Sequence, residues 1–180
     1  MLENFRTVAE MPQEVIEKYK DQIPEELLRI WQEDGLGTFL DGYLKVINPD
    51  DYLELIQETY FRGDVSIPIF VTAFGDIITW EKNAYVGIVK YKNSLFDIII
   101  KNFTHFLKFL NNEYITKNFE LSLYQEAVRA YGELDYDYCF GFVPLLALGG
   151  PKDVKHLDKV KIIEHLYIIT QLVGVIGMDD

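Results

Sequence analysis

The sequence predicts an α+β fold, a central antiparallel sheet flanked by helices. Residues 66–92, SIPIFVTAFGDIITWEKNAYVGIVKYK, form three short runs rich in Ile, Val, Phe, Tyr, Thr and Trp. They are broken at Phe74-Gly75-Asp76 and at Glu81-Lys82-Asn83, which is the composition and punctuation of a meander. The stretches on either side carry apolar residues at helical spacing, so they supply the cover that short apolar strands need. At 180 residues the chain is long enough to bury roughly 70% of its unfolded surface without metal or disulfide staples.

Residues 12–20 read as a short acidic helix with Pro12 in its first turn. Pro24 opens a second, whose Leu27, Leu28 and Trp31 make one apolar stripe and which Gly35 ends. GLGTFLDG, residues 35–42, reads as a turn, followed by a brief strand over residues 43–47. Asn48-Pro49-Asp50-Asp51 then places a capping side chain, a first-turn proline and two acids at a helix start. That helix turns Tyr52, Leu53, Ile56 and Tyr60 inward, and Gly63-Asp64 return the chain to the sheet.

Beyond the meander, Ser94 caps a long apolar-periodic segment, LFDIIIKNFTHFLKFLNN, read as a largely buried helix with Asp97 at the capping-box position. A smaller helix spans residues 121–131 and stops at Gly132. CFGFVPLLALGG reads as an extended apolar segment; Pro144 bars a regular central ladder position and Gly149-Gly150-Pro151 close it. The last helix is expected over residues 155–173. One domain, or two intimately packed lobes, is the expectation at this length.

The net charge is −12, from 17 basic and 29 acidic residues. A field of that sign repels nucleic acid and anionic membrane and attracts basic proteins. The single cysteine, Cys139, excludes an intramolecular disulfide framework and suits a reducing cytosol. The N-terminal stretch is not a signal peptide, and no apolar run is long enough to span a bilayer, so a cytoplasmic location is expected.

No catalytic constellation emerges. His105, His156 and His165 have no partners at metal-ligand spacing, and Cys139 sits among aromatic residues with no neighbouring base. Glu133, Asp135 and Asp137 alternate, so on an extended segment all three point the same way. A solvated acidic loop is the plain reading and a contact for a basic partner the sharper one. A calcium loop would need further oxygen ligands and a turn glycine that Cys139-Phe140 do not supply. Gly149-Gly150 lacks the residues of a phosphate loop and reads as a turn. No metal and no cofactor are expected.

Residues 27–52, LLRIWQEDGLGTFLDGYLKVINPDDY, resemble the GAD-like domain pattern at Trp31, Gly35, Gly37, Phe39, Asp41, Gly42, Asn48 and Pro49. Leu36 stands where the family usually has an aromatic residue. AFGDIITW, FGFVPLLALGGP and VKIIEHLYIITQLVG resemble the C-terminal domain of the type VI secretion DNase-immunity family, through Gly75, Trp80, Gly141, Pro144, Gly149 and Gly150. The wider relatives are SUKH-type immunity proteins, with helices around an antiparallel sheet. The resemblance assigns the GAD-like part to 1–64 and the immunity part to 65–180, and implies a non-enzymatic antidote that binds and neutralises a cognate secreted toxin, a basic nuclease. The glycines and tryptophans are expected to be scaffold. The toxin contacts are expected among the loop acids Asp34, Asp41, Asp76, Glu133, Asp135 and Asp137, occupying a basic groove. The competing reading is a small-molecule or peptide-binding regulatory module with FGFVPLLALG lining a pocket.

Overall fold

The computed structural model describes residues 2–178. Its centre is a seven-stranded sheet in which every strand pairs antiparallel with its sequence neighbours. The strands are β1 (Arg6–Ala9), β2 (Leu36–Phe39), β3 (Leu44–Val46), β4 (Ser66–Thr72), β5 (Ile77–Glu81), β6 (Tyr85–Lys90) and β7 (Leu95–Lys101). The expected meander is β4–β6, the middle of this sheet. A two-stranded ribbon, β8 (Tyr138–Phe142) with β9 (Leu157–Lys161), docks on it where the Phe140 N–H donates to the Ala73 carbonyl at 2.7 Å.

Helices cover both faces, because successive side chains of a strand point to opposite sides. On one face α1 (Gln13–Tyr19), α2 (Glu25–Glu33), α4 (Phe103–Lys108), α5 (Glu113–Thr116) and α6 (Leu121–Tyr131) bury Trp31, Phe106 and Tyr124 against Phe39, Phe70, Ile78 and Ile88. On the other, α3 (Pro49–Thr59) and α7 (Ile162–Val173) bury Ile56, Leu166 and Ile169 against Val71, Ile77 and Val89. The α3 start is as expected: Pro49 opens the helix and the Asn48 side chain accepts the Asp50 N–H at 3.0 Å. Of its four expected inward residues, Tyr52, Ile56 and Tyr60 are buried and Leu53 is half-buried.

Four expectations are corrected. The stretch after Ser94 is not a long helix but strand β7 followed by the short α4. Three consecutive β-branched isoleucines favour an extended chain once the open edge of β6 offers a ladder. Ser94 lies in the left-handed region at φ +54 and starts no helix; Asn102 is the cap, its side chain accepting the His105 N–H at 3.2 Å. Residues 36–39, read as part of a turn, form β2. Pairing with β1, for which no strand was expected, is possible because Gly35 and Gly37 have no Cβ. One built on Gly37 would lie 2.2 Å from the Arg6 carbonyl oxygen, and one on Gly35 2.5 Å from that of Ala9. Finally, residues 157–161 are β9 and not helix, so α7 begins at Ile162. Leu157 and Val160 are three apart and continue the helical period backwards, but the ladder that β8 offers alongside makes these residues a strand.

Candidate partner-binding surface

The six loop acids fall into two groups. Asp34 and Asp76 are buried. The Asp34 carboxylate accepts the Leu2 N–H at 3.2 Å. Asp76, in the turn between β4 and β5, is held by the Lys92 ammonium, which also pairs with Glu120 at 3.2 Å. Burial alone would depress the Lys92 ammonium, but the carboxylates of Asp76 and Glu120 more than offset it and hold the group above the ordinary lysine range. The charge of Asp76 is therefore used inside the fold and faces no partner. Asp41, Glu133, Asp135 and Asp137 are exposed.

Tertiary structure brings these four together. Asp41 is at the tip of the β2–β3 hairpin, where its carbonyl accepts the Tyr124 hydroxyl at 2.9 Å. Burial, then Glu133 and also Asp41 against the opposing Arg6, push that hydroxyl up to about 12, so both acids share its surroundings. Glu133 pairs with Arg6 at 3.1 Å across exposed surface. From Glu133 the chain runs to Asp135 and turns at Tyr136-Asp137 into β8, the Tyr138 N–H donating to the Asp135 carbonyl at 3.1 Å, with Glu133, Asp135 and Asp137 exposed and Leu134 and Tyr136 half-buried between them. Exposure alternates here as expected, but at Asp137 a turn and not an extended chain sets it.

This segment is fixed from beneath by Lys45. It is the middle residue of β3, buried, and its ammonium donates to the carbonyls of Asp135 and Tyr136 at 2.9 Å each and to that of Tyr138. Burial pushes the group down to about 8, with the nearby Cys139, Asp137 and Asp135 acting the other way, so at neutral pH it is charged and all three carbonyls have their donor. The Tyr136 hydroxyl donates to the Val46 carbonyl at 2.6 Å, a second tie to the same strand.

At its far end the segment borders an open groove of about 400 Å³ lined by Asp51, Tyr52, Tyr136, Asp137, Lys161 and Glu164 among others. The Asp51 carboxyl is raised by burial and by neighbouring Asp50, and burial together with Asp51 and Asp137 lifts the Tyr136 hydroxyl. Asp51 and Glu164 join the acidic surface only through folding. In the sequence Asp51 serves the dipole of α3 and Glu164 is one charge of a helix, so neither had a signal of its own. Lys45 did carry one, a lone lysine in an apolar strand.

The other candidates are structural. Cys139 is buried against Gly75 and Leu166, and burial pushes its thiol up to about 12, too high for a thiolate nucleophile. Among the described residues no group of three or more His, Cys, Asp or Glu could hold a metal ion, and no helix is long and apolar enough to cross a membrane. Behind FGFVPLLALG, Phe142, Leu145, Leu146 and Ala147 with Lys92, His165 and Ile169 enclose about 10 Å³, room for about one water molecule and no larger ligand. The scaffold residues sit in packing positions. Trp31 and Trp80 are in the core, Asn48 and Pro49 start α3, and Gly75 turns the chain at φ +79. Gly141 lies beneath the His165 ring, Gly149 turns at φ +82, and Gly150 lies against the Pro144 carbonyl.

Comparisons with known proteins place the two parts of the chain in families. Residues 1–92 match the family model of the GAD-like domain, and residues 100–173 match that of the T6SS immunity protein Tdi1, C-terminal. The crystal structure of Atu4351 from Agrobacterium tumefaciens superposes with a TM-score of 0.73 at 18% identity, covering 95% of this chain and 84% of that one; at this identity the likeness is one of fold. No curated protein sequence matches.

Proposed function

We propose that this chain, which belongs to the GAD-like family and carries the C-terminal domain of the Tdi1 type VI secretion immunity proteins, is the antidote to one cognate toxin. The family supplies the immunity role and suggests a non-catalytic one. Our reading adds that the toxin domain is a basic nuclease, that it is met in the cytoplasm, and that the acidic ridge from Asp41 through Glu133, Asp135 and Asp137 to Asp51 occupies its phosphate-binding groove. The observation that carries this is the Lys45 anchor. It ties the segment that carries Asp135 and Asp137 to β3, so the backbone beneath these exposed acids is preorganised and little loop entropy is lost on binding. An acidic surface also steers a basic partner, raising the association rate at low salt.

The first test captures partners on the immobilised protein from lysate of the source strain and identifies them by mass spectrometry. One basic toxin domain at near-equal stoichiometry, whose nuclease activity the protein blocks in vitro, is the expected result. Recovery of none from a lysate shown to contain the toxin overturns the antidote reading. The ridge is tested separately by Asp135→Lys with Asp137→Lys. We expect association with that domain to slow about tenfold or more at low salt, with a shallower salt dependence. Unchanged kinetics would move the contact elsewhere.

A further inference from the structure

We infer that the C-terminal half of α7 and the segments beside it form a face that binds a second copy of this chain, giving a two-fold dimer. The exposed large apolar residues are concentrated there. Ile168 and Leu172 lie one turn apart on the outer side of α7. Val175 and Met178 follow it, and the Phe61 and Phe96 rings pack at 4.8 Å, tilted by 56°, beside Gly177. The Phe61 N–H donates to the Ile176 carbonyl at 3.0 Å, which ties this aromatic pair to the chain leaving α7. Leu148 extends the face from the turn that packs on the His165 and Ile169 side of α7. Each of these seven side chains is 37–66% exposed.

At about 200 Å² of full surface apiece they leave on the order of 700 Å² uncovered. That exceeds the about 300–600 Å² of the largest apolar patch on an ordinary monomer and approaches the about 800 Å² that each partner contributes to a standard interface.

Charge selects the occupant. The two longest stretches without Asp, Glu, Lys or Arg are residues 138–151 and 165–178, and this face is built mainly from them. Two copies at −12 each repel wherever acids meet, so they can approach closely only across an uncharged surface. A basic partner gains nothing there and has the ridge at the opposite end of α7. The contact is side-chain packing and not sheet extension, because the Asp97 carboxylate takes the Ile98 N–H at 2.8 Å and so guards the open edge of β7. This inference is independent of the antidote reading.

The test is the solution mass by light scattering and sedimentation velocity over micromolar to sub-millimolar concentrations. The wild type is expected at twice the 21.0 kDa chain mass. Ile168→Asp with Leu172→Asp is expected to return it to the single-chain mass with an unchanged circular-dichroism spectrum. Asp135→Lys with Asp137→Lys should remain dimeric, which separates this face from the toxin surface. A wild type at single-chain mass throughout overturns the proposal, as does a double variant that stays dimeric. A monomeric wild type whose double variant loses toxin binding would overturn it too, assigning the face to the toxin.

Discussion

Single residues set two features of this protein that the acid count conceals. Asp76 and Lys92 are both acceptable in the core only because each has the other, with Glu120 and Lys152 completing the row. Asp76→Ala leaves the Lys92 ammonium buried with half its compensation, and we expect a loss of about 3–5 kcal/mol in urea unfolding. A loss below about 1 kcal/mol would mean that Glu120 alone suffices. His165 is buried on the inner face of α7, and burial holds its pKa below the ordinary value of 6.5. The unfolded chain therefore binds a proton that the folded one resists. The contribution of His165 is fully present above about pH 6.5 and falls as the pH drops through that value toward the lowered one. Between about pH 7.5 and about pH 5.5 the wild type should lose more unfolding free energy than His165→Gln does. Equal losses would assign the acid sensitivity to carboxylates.

Whether an element was legible depended on whether its signal was local. The α3 start was legible because cap, proline and acids are adjacent in sequence, and the cap hydrogen bond is present. Asn48→Ala should cost about 1 kcal/mol and lower the melting temperature by about 2–4 °C; no shift would mean that packing alone fixes the helix. The end of α6 at Gly132 was legible for the same reason. Strand β7 was not. Leu95, Ile98, Ile99, Phe103 and Phe106 keep a helical period across two different elements, and the ladder offered by β6 decides against that period. The same holds for β9, whose first residues extend the apparent period of α7 backwards until β8 supplies a partner. Gly35 and Gly37 read as turn residues because the strand that needs their missing side chains lies about thirty residues earlier.

The whole molecule is an acidic body with an uneven surface: acids gather along the ridge and groove at the start of α7, and apolar side chains gather beyond its middle. The net charge, the α+β class and the alternating exposure of Glu133, Asp135 and Asp137 could be read from residue order. All depend on composition or on spacing within a few residues. The sequence by itself also carried the family resemblance, because its glycines, tryptophans and prolines hold fixed positions along the chain. Only the tertiary structure decided which acids reach the surface. It sent Asp34 and Asp76 inward, added Asp51 and Glu164, and placed Lys45 under carbonyls some ninety residues away. Only it set Phe61 and Phe96 against each other beside the chain that leaves α7. A charge or an apolar side chain has the same local signature whether it is exposed or buried, and its role depends on what distant parts of the chain bring against it.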